Sequence, residues 1–323
     1  MEVPKEEIFD LNIFGKWKTF GNSIVENKKY RIDFDEINSD LQNMTLFEKN
    51  SKLLITDYRN NGLKIGLHLC DLNGKLKESF NPGDKLKCPG AICVLTFSDK
   101  EEIFIANKVK VLDPKTDEVN YIWMILVFQS NFEFKFEFFY SRIPRYLHEF
   151  FRYDEDKPHT PDYMQIDNEF NNTRLYISDD LSNRITIYNT NNGKQIDVIK
   201  ISSPGNIIFS QDYIYVASHT EYVVCFSIIY KIRKDTLEVE RVIVNRDCHS
   251  KTHLLGFDQL KNINFLAYDR NRRNDIFFLV IDENGKTITK YLTDLNKVKY
   301  ALAFKNMIYI INKSDLRKLE FRK

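Results

Sequence analysis

The stretch RLYISDDLSNRITIYNTNNGKQIDVIKI, residues 174–201, contains three short strands and the turns that join them. Apolar side chains recur at every second position in three runs, which is the period of a half-buried strand. The alternating positions are Leu175 and Ile177, Ile185 and Ile187, and Ile196 and Val198. The dipeptide Asn192-Gly193 predicts a tight hairpin between the last two strands, because both central residues of such a turn adopt positive φ. The segment therefore predicts an antiparallel sheet with short connections.

The same turn and strand recur along the chain. A Gly-Lys pair begins a strand at Gly15, Gly74, Gly193 and Gly285, and asparagine precedes the last three. Gly193 and Gly285 are separated by two repeats of roughly 46 residues, the length of a four-stranded propeller blade. Gly74 and Gly193 are separated by two such repeats plus about 27 residues. The spacing therefore predicts one insertion between them.

This repeat predicts an all-β fold, a six-bladed β-propeller of four-stranded antiparallel blades that spans residues 1–323 as one domain. The predicted blades are 44–80, 89–140, 162–201, 205–244, 253–291 and 299–321. The last blade lacks a fourth strand, and the segment 12–20, which contains GKWKTF, matches the fourth strands of the other blades. We expect this segment to complete the C-terminal blade, because closure of the ring removes an exposed sheet edge.

One strand of the second blade is unusually aromatic. Residues 132–139 read FEFKFEFF, so phenylalanine alternates with charged residues. This alternation predicts that Phe132, Phe134, Phe136 and Phe138 share one buried face of the strand.

The amino-acid composition argues against several classes of function. The chain has 47 basic and 46 acidic residues, so no global field favours nucleic acid or an anionic membrane. The amino terminus lacks the apolar run of a signal peptide, and no 18-residue apolar stretch predicts a membrane span. We therefore expect a soluble cytoplasmic protein that does not bind membranes. The five cysteines lack paired spacing and the six histidines are scattered, so the sequence predicts no disulfide framework, no metal site and no cofactor.

Several repeats share a motif in which a strand ends in a polar residue and a short loop with asparagine leads to the next strand. Its fullest form is YISDDLSNRI, residues 176–185, and partial forms are Pro89-Gly90 with 103–107 and Pro204-Gly205 with 213–218. These units resemble the NHL-repeat family of six-bladed β-propellers, whose repeats combine a Pro-Gly start, a strand ending in Ala-Asp or similar, a short loop with asparagine, and Arg-Ile. The resemblance implies a recognition module, which in some members binds protein and in others single-stranded RNA.

In a propeller, the connections from second to third strands and from one blade to the next emerge on one face, called the loop face below. Its loops carry an almost neutral, weakly basic total charge, so we predict a non-catalytic scaffold that binds a protein partner there. The candidate binding residues are Tyr58, Arg59, Arg184, Tyr222, Arg246, Arg270, Arg272 and Arg273.

The densest part of this candidate surface is YDRNRR, residues 268–273. Its three arginines can hold a phosphate or carboxylate through paired hydrogen bonds. A solvated loop balanced by Asp269 and Asp275 is the alternative. Single-stranded RNA, held by these arginines while Tyr58 and Tyr222 stack on bases, is the alternative ligand to a protein.

The predicted insertion is SRIPRYLHEFFRYDEDKPHTP, residues 141–161. Ser141 suits a helix cap and Pro144 suits a first helical turn, so a short amphipathic helix is expected. Its aromatic anchors are Tyr146, Phe150, Phe151 and Tyr153. Two interpretations stay open: a docking element or partial lid over the loop face, or a plug that fills the gap between blades two and three.

Catalytic motifs are not evident. A metal-dependent propeller hydrolase needs carboxylates, asparagines or histidines that converge on the channel, and no spacing indicates such a set. No GxSxG motif or phosphate-binding loop occurs either. We therefore predict that the chain is not an enzyme.

Overall fold

The computed structural model of the chain is described here for the residues that it places. These are residues 26–30, 41–47, 51–57, 66–80, 85–97, 100–112, 119–144, 160–167, 174–218, 226–258, 260–269, 275–293, 295, 298–304, 307–312 and 315–320. They form 24 β-strands. Within these ranges, no helix has the length and apolar character needed to cross a membrane.

The strands, numbered along the chain, make six four-stranded antiparallel sheets. The chain enters through β1 (Glu26–Tyr30). Sheet 1 contains β2 (Leu41–Phe47), β3 (Lys52–Asp57), β4 (Gly66–Asp71) and β5 (Leu76–Phe80). Sheet 2 contains β6 (Pro89–Phe97), β7 (Lys100–Leu112), β8 (Val119–Gln129) and β9 (Phe134–Pro144). Sheet 3 contains β10 (Tyr163–Asp167), β11 (Arg174–Asp179), β12 (Arg184–Asn189) and β13 (Gln195–Lys200).

The second half of the chain continues the same pattern. Sheet 4 contains β14 (Pro204–Phe209), β15 (Tyr213–Ser218), β16 (Ser227–Arg233) and β17 (Val239–Asn245). Sheet 5 contains β18 (Cys248–Phe257), β19 (Ile263–Asp269), β20 (Ile276–Ile281) and β21 (Thr287–Leu292). Sheet 6 contains β22 (Tyr300–Phe304), β23 (Met307–Asn312) and β24 (Asp315–Glu320), and β1 is its fourth strand.

Sheet 6 is thus completed by a strand from the other end of the chain. β1 pairs antiparallel with β24, from Glu26 opposite Glu320 to Tyr30 opposite Leu316. This pairing occupies the outer hydrogen-bonding edge of β24. The completing strand is therefore Glu26–Tyr30 and not segment 12–20, which lies outside the described residues.

The six sheets are arranged around a common axis. The innermost strands contact one another in the order β2, β6, β10, β14, β18 and β22, and β22 contacts β2 again. A separate hydrophobic cluster fills each of the six junctions between neighbouring sheets. Because both faces of a sheet are covered, the second strands are apolar on both sides, as at Leu53, Leu54 and Ile55. The fold is an all-β propeller with four-stranded antiparallel blades.

A hairpin turn is present at each of the three Asn-Gly pairs, but the expectation that both residues of the pair adopt positive φ is wrong, because only the glycines do so. At Asn192-Gly193 the turn is longer than two residues: the N–H of Asn189 donates to the carbonyl oxygen of Lys194, and the N–H of Gly193 donates to that of Asn189. Gly74, Gly193 and Gly285 all have positive φ, between 64° and 82°. A Cβ atom on Gly193 would lie 2.5 Å from the side chain of Phe138 in β9, and one on Gly285 would lie 2.6 Å from the carbonyl oxygen of Val244 in β17. The turn of one sheet therefore packs against the outer strand of the sheet before it, and glycine is required for both its conformation and its size.

Sheet 2 is larger than its neighbours. β7 has 13 residues and β8 and β9 have 11 each, whereas β11, β12 and β13 of sheet 3 have 6 each. The pairing of β7 with β8 continues to Leu112 opposite Val119. Part of the extra length between Gly74 and Gly193 therefore lies in the longer strands of sheet 2, whereas only residues 141–144 of the predicted insertion belong to a strand.

The predicted helix start at Ser141 is wrong. Residues 141–144 belong to β9, where Ser141 lies opposite Trp123 and Pro144 lies opposite Asn120. Pairing with β8 satisfies the backbone of this segment, so it has no need of helical hydrogen bonds. The remainder of the predicted insertion, residues 145–159, lies outside the described part of the chain.

Three of the four phenylalanines expected on one buried face divide between two junctions, and the fourth, Phe134, is 38% exposed. Phe132 has a φ of 65° and stacks on Phe80 of sheet 1, with ring centroids 4.6 Å apart. Phe136 and Phe138 instead pack against the cluster between sheets 2 and 3. The expectation was wrong because the turn reverses the side-chain direction at Phe132 and the register of β9 against β8 shifts at Phe128.

Candidate functional site

The structure describes two of the eight candidate binding residues, Arg184 and Arg246. The other six lie outside the described residues: Tyr58, Arg59, Tyr222, Arg270, Arg272 and Arg273. The four anchors predicted in the insertion also lie outside them: Tyr146, Phe150, Phe151 and Tyr153. The candidate surface must therefore be assessed from the residues that surround it.

Arg184 and Arg246 have different environments. Arg184 is the first residue of β12, lies opposite Asp179, and is only 8% exposed. Burial raises the pKa of the neighbouring Tyr188, and the charge of Arg184 partly opposes that shift. Arg246 follows sheet 4, is exposed, and has its guanidinium 5.7 Å from the centroid of the Phe226 ring. Arg184 therefore sits within the junction of sheets, whereas Arg246 is available at the surface.

A repeated polar position lies where each second strand reaches the loop face. Its residues are Asp57, Asn107, Asp179, Ser218, Asp269 and Asn312. The side chains of the first four are almost fully buried. The repetition of a short polar residue after an apolar run at six places is the sequence signal that could have identified this position.

In sheet 2, Asn107 anchors the chain that enters the sheet. Its Oδ1 accepts hydrogen bonds from the backbone N–H of Lys87 at 2.9 Å and of Cys88 at 3.0 Å. Its Nδ2 donates to the carbonyl oxygen of Lys85 at 3.0 Å. One amide side chain therefore satisfies three backbone groups of the connection from sheet 1.

Asp179 has the same role in sheet 3. Its Oδ2 accepts from the backbone N–H of Thr160 at 3.1 Å and from the Tyr140 hydroxyl at 3.2 Å. Its Oδ1 accepts from the N–H of Ser182 at 3.1 Å. In sheet 4, Ser218 Oγ donates to the carbonyl oxygen of Ser202 at 3.0 Å. These side chains hold the loop-face connections in defined positions.

Two tyrosines meet at the loop-face end of the central axis. Tyr163 begins β10 and Tyr300 begins β22, and their rings stack with centroids 6.0 Å apart and planes inclined by 24°. Two inner strands separate β10 from β22 in either direction around the ring. The stack therefore spans the centre of the propeller. Burial raises the pKa of both hydroxyls, so both stay neutral at physiological pH.

A group of three carboxylates lies beside this stack. Asp162 Oδ2 accepts from the backbone N–H of Asp180 at 2.9 Å. Burial raises the pKa of Asp162 well above its usual range, the hydrogen bond from Asp180 opposes the shift, and the charges of Asp179 and Asp180 add to it. Within the described residues, no group of three His, Cys, Asp or Glu side chains has an arrangement that could hold a metal ion.

Three polar side chains form a hydrogen-bonded row across sheet 1. The buried carboxylate of Asp57 lies 3.3 Å from His68 Nε2, and His68 Nδ1 lies 2.9 Å from the exposed Ser79 Oγ. Carboxylate, imidazole and hydroxyl are the groups used by serine hydrolases, in which the histidine activates the hydroxyl. The row also joins β3, β4 and β5, which is a structural role. Sequence spacing did not indicate it, because the residues come from three strands.

The part of sheet 2 that extends beyond its neighbours, called the ribbon below, comprises residues 107–112, 119–124 and 139–144. One of its faces is cationic and aromatic: Lys108 Nζ lies 4.3 Å from the Tyr121 ring centroid and 5.9 Å from that of Trp123. Burial lowers the pKa of Lys108. Leu112 and Phe139 are exposed on the ribbon, at 56% and 55%. The ribbon thus presents apolar surface beside positive charge.

No protein-family model matches the sequence, and no curated protein matches it. Solved structures similar to the chain include Kuenenia stuttgartiensis hydrazine synthase, at 11% identity and a TM-score of 0.49 over 90% of this chain and 98% of that one. BamB from Moraxella catarrhalis is similar at 11% identity and a TM-score of 0.45, over 87% and 85%. The dihydro-heme d1 dehydrogenase NirN is similar at 12% identity and a TM-score of 0.43, over 80% of this chain and 58% of that one. Similarities this distant assign no function to the chain.

Proposed function

We propose that the six sheets are the blades of one six-bladed propeller that acts as a non-catalytic scaffold and binds a protein partner on its loop face. The ribbon of sheet 2 is the observation that carries the proposal. It extends beyond the other strands on that face and exposes Leu112 and Phe139 where no packing within the sheet requires them. An apolar surface beside lysines is typical of a protein interface with a polar rim.

The centre of the loop face supports the same function. The stacked rings of Tyr163 and Tyr300 occupy the end of the axis where a channel-type active site would admit a substrate. The described connections around them are held by Asn107, Asp179 and Ser218, so these parts of the face need little ordering on binding, which lowers the entropic cost of association. A partner that spreads over the face is therefore favoured over a small molecule that enters the channel.

An NHL-type repeat is part of this proposal. Asn107, Asp179 and Ser218 occupy the position of the polar residue that ends the strand in that motif, and each fixes a connection on the loop face. The polar residue of the motif is therefore the residue that anchors each connection, which gives the motif a structural role on the loop face.

The protein is proposed to work in the cytoplasm. Cys70, Cys88, Cys93 and Cys248 are all free thiols, which suits a reducing compartment. Fractionation of cells that express the tagged chain tests this location, and recovery in an extracytoplasmic fraction would contradict it.

Site-specific photocrosslinking tests the main proposal. A benzoylphenylalanine residue replaces Leu112 or Phe139 on the ribbon, and a matched variant carries it at Leu260, in the turn between β18 and β19 on the opposite face. Leu260 is 81% exposed, so accessibility favours the control. We expect a protein adduct of reproducible mass from the two ribbon positions and none from position 260. Equal capture at all three positions, or none, contradicts the proposal.

The same experiment separates protein from single-stranded RNA, the ligand proposed as the alternative with Arg59, Arg184, Arg270, Arg272 and Arg273. An adduct that disappears with protease and resists ribonuclease supports a protein partner. An adduct that ribonuclease removes, and that weakens steeply as salt rises, supports RNA instead.

Catalysis is tested at the row formed by Asp57, His68 and Ser79. A non-catalytic scaffold is expected to leave Ser79 unmodified by a fluorophosphonate probe, which forms a bond between its phosphorus and an activated serine oxygen and releases fluoride. Labelling of the folded protein that is abolished by both Ser79→Ala and His68→Ala would show that the hydroxyl is activated, and would replace the scaffold proposal with a hydrolytic one.

A further inference from the structure

The inner edge of the ribbon is an unpaired strand edge. β7 pairs with β6 only as far as Asn107 opposite Pro89, and the backbone N–H of Lys108 then donates to the carbonyl oxygen of Cys88 at 2.9 Å. β8 continues to pair with the other side of β7 as far as Leu112. From 109 to 112, no described strand lies on the side of β7 that faces the centre of the loop face.

The hydrogen bond of Lys108 determines which backbone groups point to that edge. In an antiparallel strand, the N–H and C=O of alternate residues point to the same side. Since the N–H of Lys108 points away from β8, the N–H and C=O of Lys110 and Leu112 do so as well. Val109 and Val111 direct theirs to β8. Lys110 and Leu112 make no hydrogen bond across this edge with any residue in the described ranges.

The side chains along this edge determine which residue types an added strand would carry on each of its faces. Lys108 and Lys110 lie on one face of the ribbon, and Val109 and Val111 lie on the other, because side chains alternate along a strand. Residues 107–112 of β7 include two basic residues, Lys108 and Lys110, and no carboxylate. An added strand therefore gains most with acidic side chains on the first face and apolar side chains on the second.

We propose that an extended segment of the partner protein, with acidic and apolar residues in alternation, adds to the ribbon as a strand along β7 from Val109 to Leu112. This inference rests on the protein-binding function proposed above and specifies how the partner is held. Main-chain hydrogen bonds supply the attachment, and the two rows of side chains supply the preference.

Amide hydrogen exchange, resolved by residue with NMR, tests the edge in the free protein. The amides of Val109 and Val111 are expected to exchange at least about a hundredfold more slowly than those of Lys110 and Leu112, because only the first pair donates within the sheet. Equal protection of all four amides contradicts an open edge. Protection at Lys110 and Leu112 that rises with protein concentration shows that a second copy occupies the edge, and overturns the proposed occupant.

Binding is measured with a fluorescein-labelled seven-residue peptide in which three valines alternate with glutamates. A peptide with lysine in place of glutamate is the charge control. Lys110→Pro removes both the lysine side chain and the outward N–H, whereas Lys110→Thr removes the side chain and keeps the N–H. The sequence that follows the strand, residues 113–118, contains three carboxylates, so the comparison rests on the backbone donor and not on charge. We expect Lys110→Pro to weaken binding about tenfold and Lys110→Thr about threefold.

Two readouts keep this test decisive. Slow exchange of Val109 and Val111 in Lys110→Pro shows that the ribbon still folds, and a peptide N-methylated on the amides facing β7 gives the same comparison from the ligand side. Equal affinity of the proline and threonine variants overturns strand addition. If crosslinking at Leu112 still captures a protein, the scaffold function survives and only the mode of attachment fails. If no protein is captured, both fail.

Discussion

Sheets 2 and 3 are neighbours with a shared hydrophobic core, yet they use their strands differently. Sheet 3 has strands of 5 or 6 residues, and all of it serves the repeat. Sheet 2 continues three of its strands well past that length on one face. The difference shows that the repeat establishes the ring, while the residues in excess of the repeat supply the surface with which we associate function.

Sheet 2 can extend beyond its neighbours because its own strands supply the hydrogen-bond partners of the added residues. From Asn120 to Met124, the added residues of β8 pair with both β7 and β9, so this strand of the ribbon satisfies its backbone without a neighbouring blade. Its cost is an open edge and exposed apolar side chains, which a soluble protein normally avoids. Because sheet 2 extends past the shorter sheet 3 with an open edge and exposed apolar side chains, we favour an interface on the ribbon.

The largest expected difference between the two sheets is in the unfolding free energy that is lost when an ion pair is broken. Asp167 of sheet 3 and Lys234 of sheet 4 approach to 3.0 Å with side chains only 4% and 6% exposed. Lys234→Met leaves the carboxylate buried without this cation and should cost about 3–5 kcal/mol of unfolding free energy. The Lys135–Glu102 pair on sheet 2 is more exposed, so Lys135→Met should cost less than about 1 kcal/mol. Urea denaturation at pH 7 measures both, and similar losses would contradict the contrast.

Gly193 tests the junction itself, since this turn of sheet 3 packs on β9 of sheet 2. Gly193→Ala combines a φ of 64° with a Cβ atom 2.5 Å from the Phe138 side chain, and should cost about 2–3 kcal/mol. Gly256→Ala is the matched control, because its φ is 144° but no heavy atom lies within 4 Å of the added Cβ. The control should lose only about 1 kcal/mol in thermal unfolding. If both variants lose the same amount, close packing of the turn is not important.

The anchor of sheet 2 is tested by a pair of substitutions at one position. Asn107→Ala removes an acceptor for Lys87 and Cys88 and should cost about 2 kcal/mol of unfolding free energy. Asn107→Asp keeps that acceptor, and at about pH 4 or below its carboxyl is protonated and can donate to the Lys85 carbonyl oxygen, so at that pH its cost should be less than half as large. Denaturant titration measures both variants. An aspartate variant no more stable than the alanine variant would argue against anchoring through the backbone N–H groups.

Asp162, beside sheet 3, gives the protein a pH dependence with a defined sign. Its pKa in the folded protein is raised, so the folded state binds a proton that the unfolded state releases as pH increases from about 4. The stability from this group is fully present below that pH and is lost as pH rises through the folded pKa. We expect Asp162→Asn to remove this component, so that unfolding free energies at pH 5 and pH 7 differ less than in the wild type. An unchanged difference would contradict the assignment.

The smallest expected change in unfolding free energy is at Phe139, and the adjacent Phe138 provides the comparison. Phe139→Ser should change the unfolding free energy by less than about 0.5 kcal/mol, because the ring is largely exposed on the ribbon. Phe138→Ser is the internal control and should cost several times more, since Phe138 packs into the core shared with sheet 3. Crosslinking from Leu112 should weaken in the Phe139 variant. Undiminished capture would exclude Phe139 from the interface.

Part of the candidate site could have been predicted from the sequence. A polar residue recurs in every repeat where the second strand reaches the loop face, so Asn107 and Asp179 could have been recognised as anchors. The row of Asp57, His68 and Ser79 could not, because spacing along the chain does not show which residues of three paired strands are opposite one another. For the arginines at 270, 272 and 273, the role assigned from sequence stays a prediction.

The sequence by itself determined the repeat, the hairpin turns at Gly74, Gly193 and Gly285, and the all-β fold. These features are local: a two-residue apolar period and a positive φ are specified by neighbouring residues. Only the tertiary structure decided that Glu26–Tyr30 completes sheet 6, that residues 141–144 continue β9, and that Phe132 turns to sheet 1. Each of these depends on hydrogen bonds or packing between different strands, where a shift of one residue reverses every side chain.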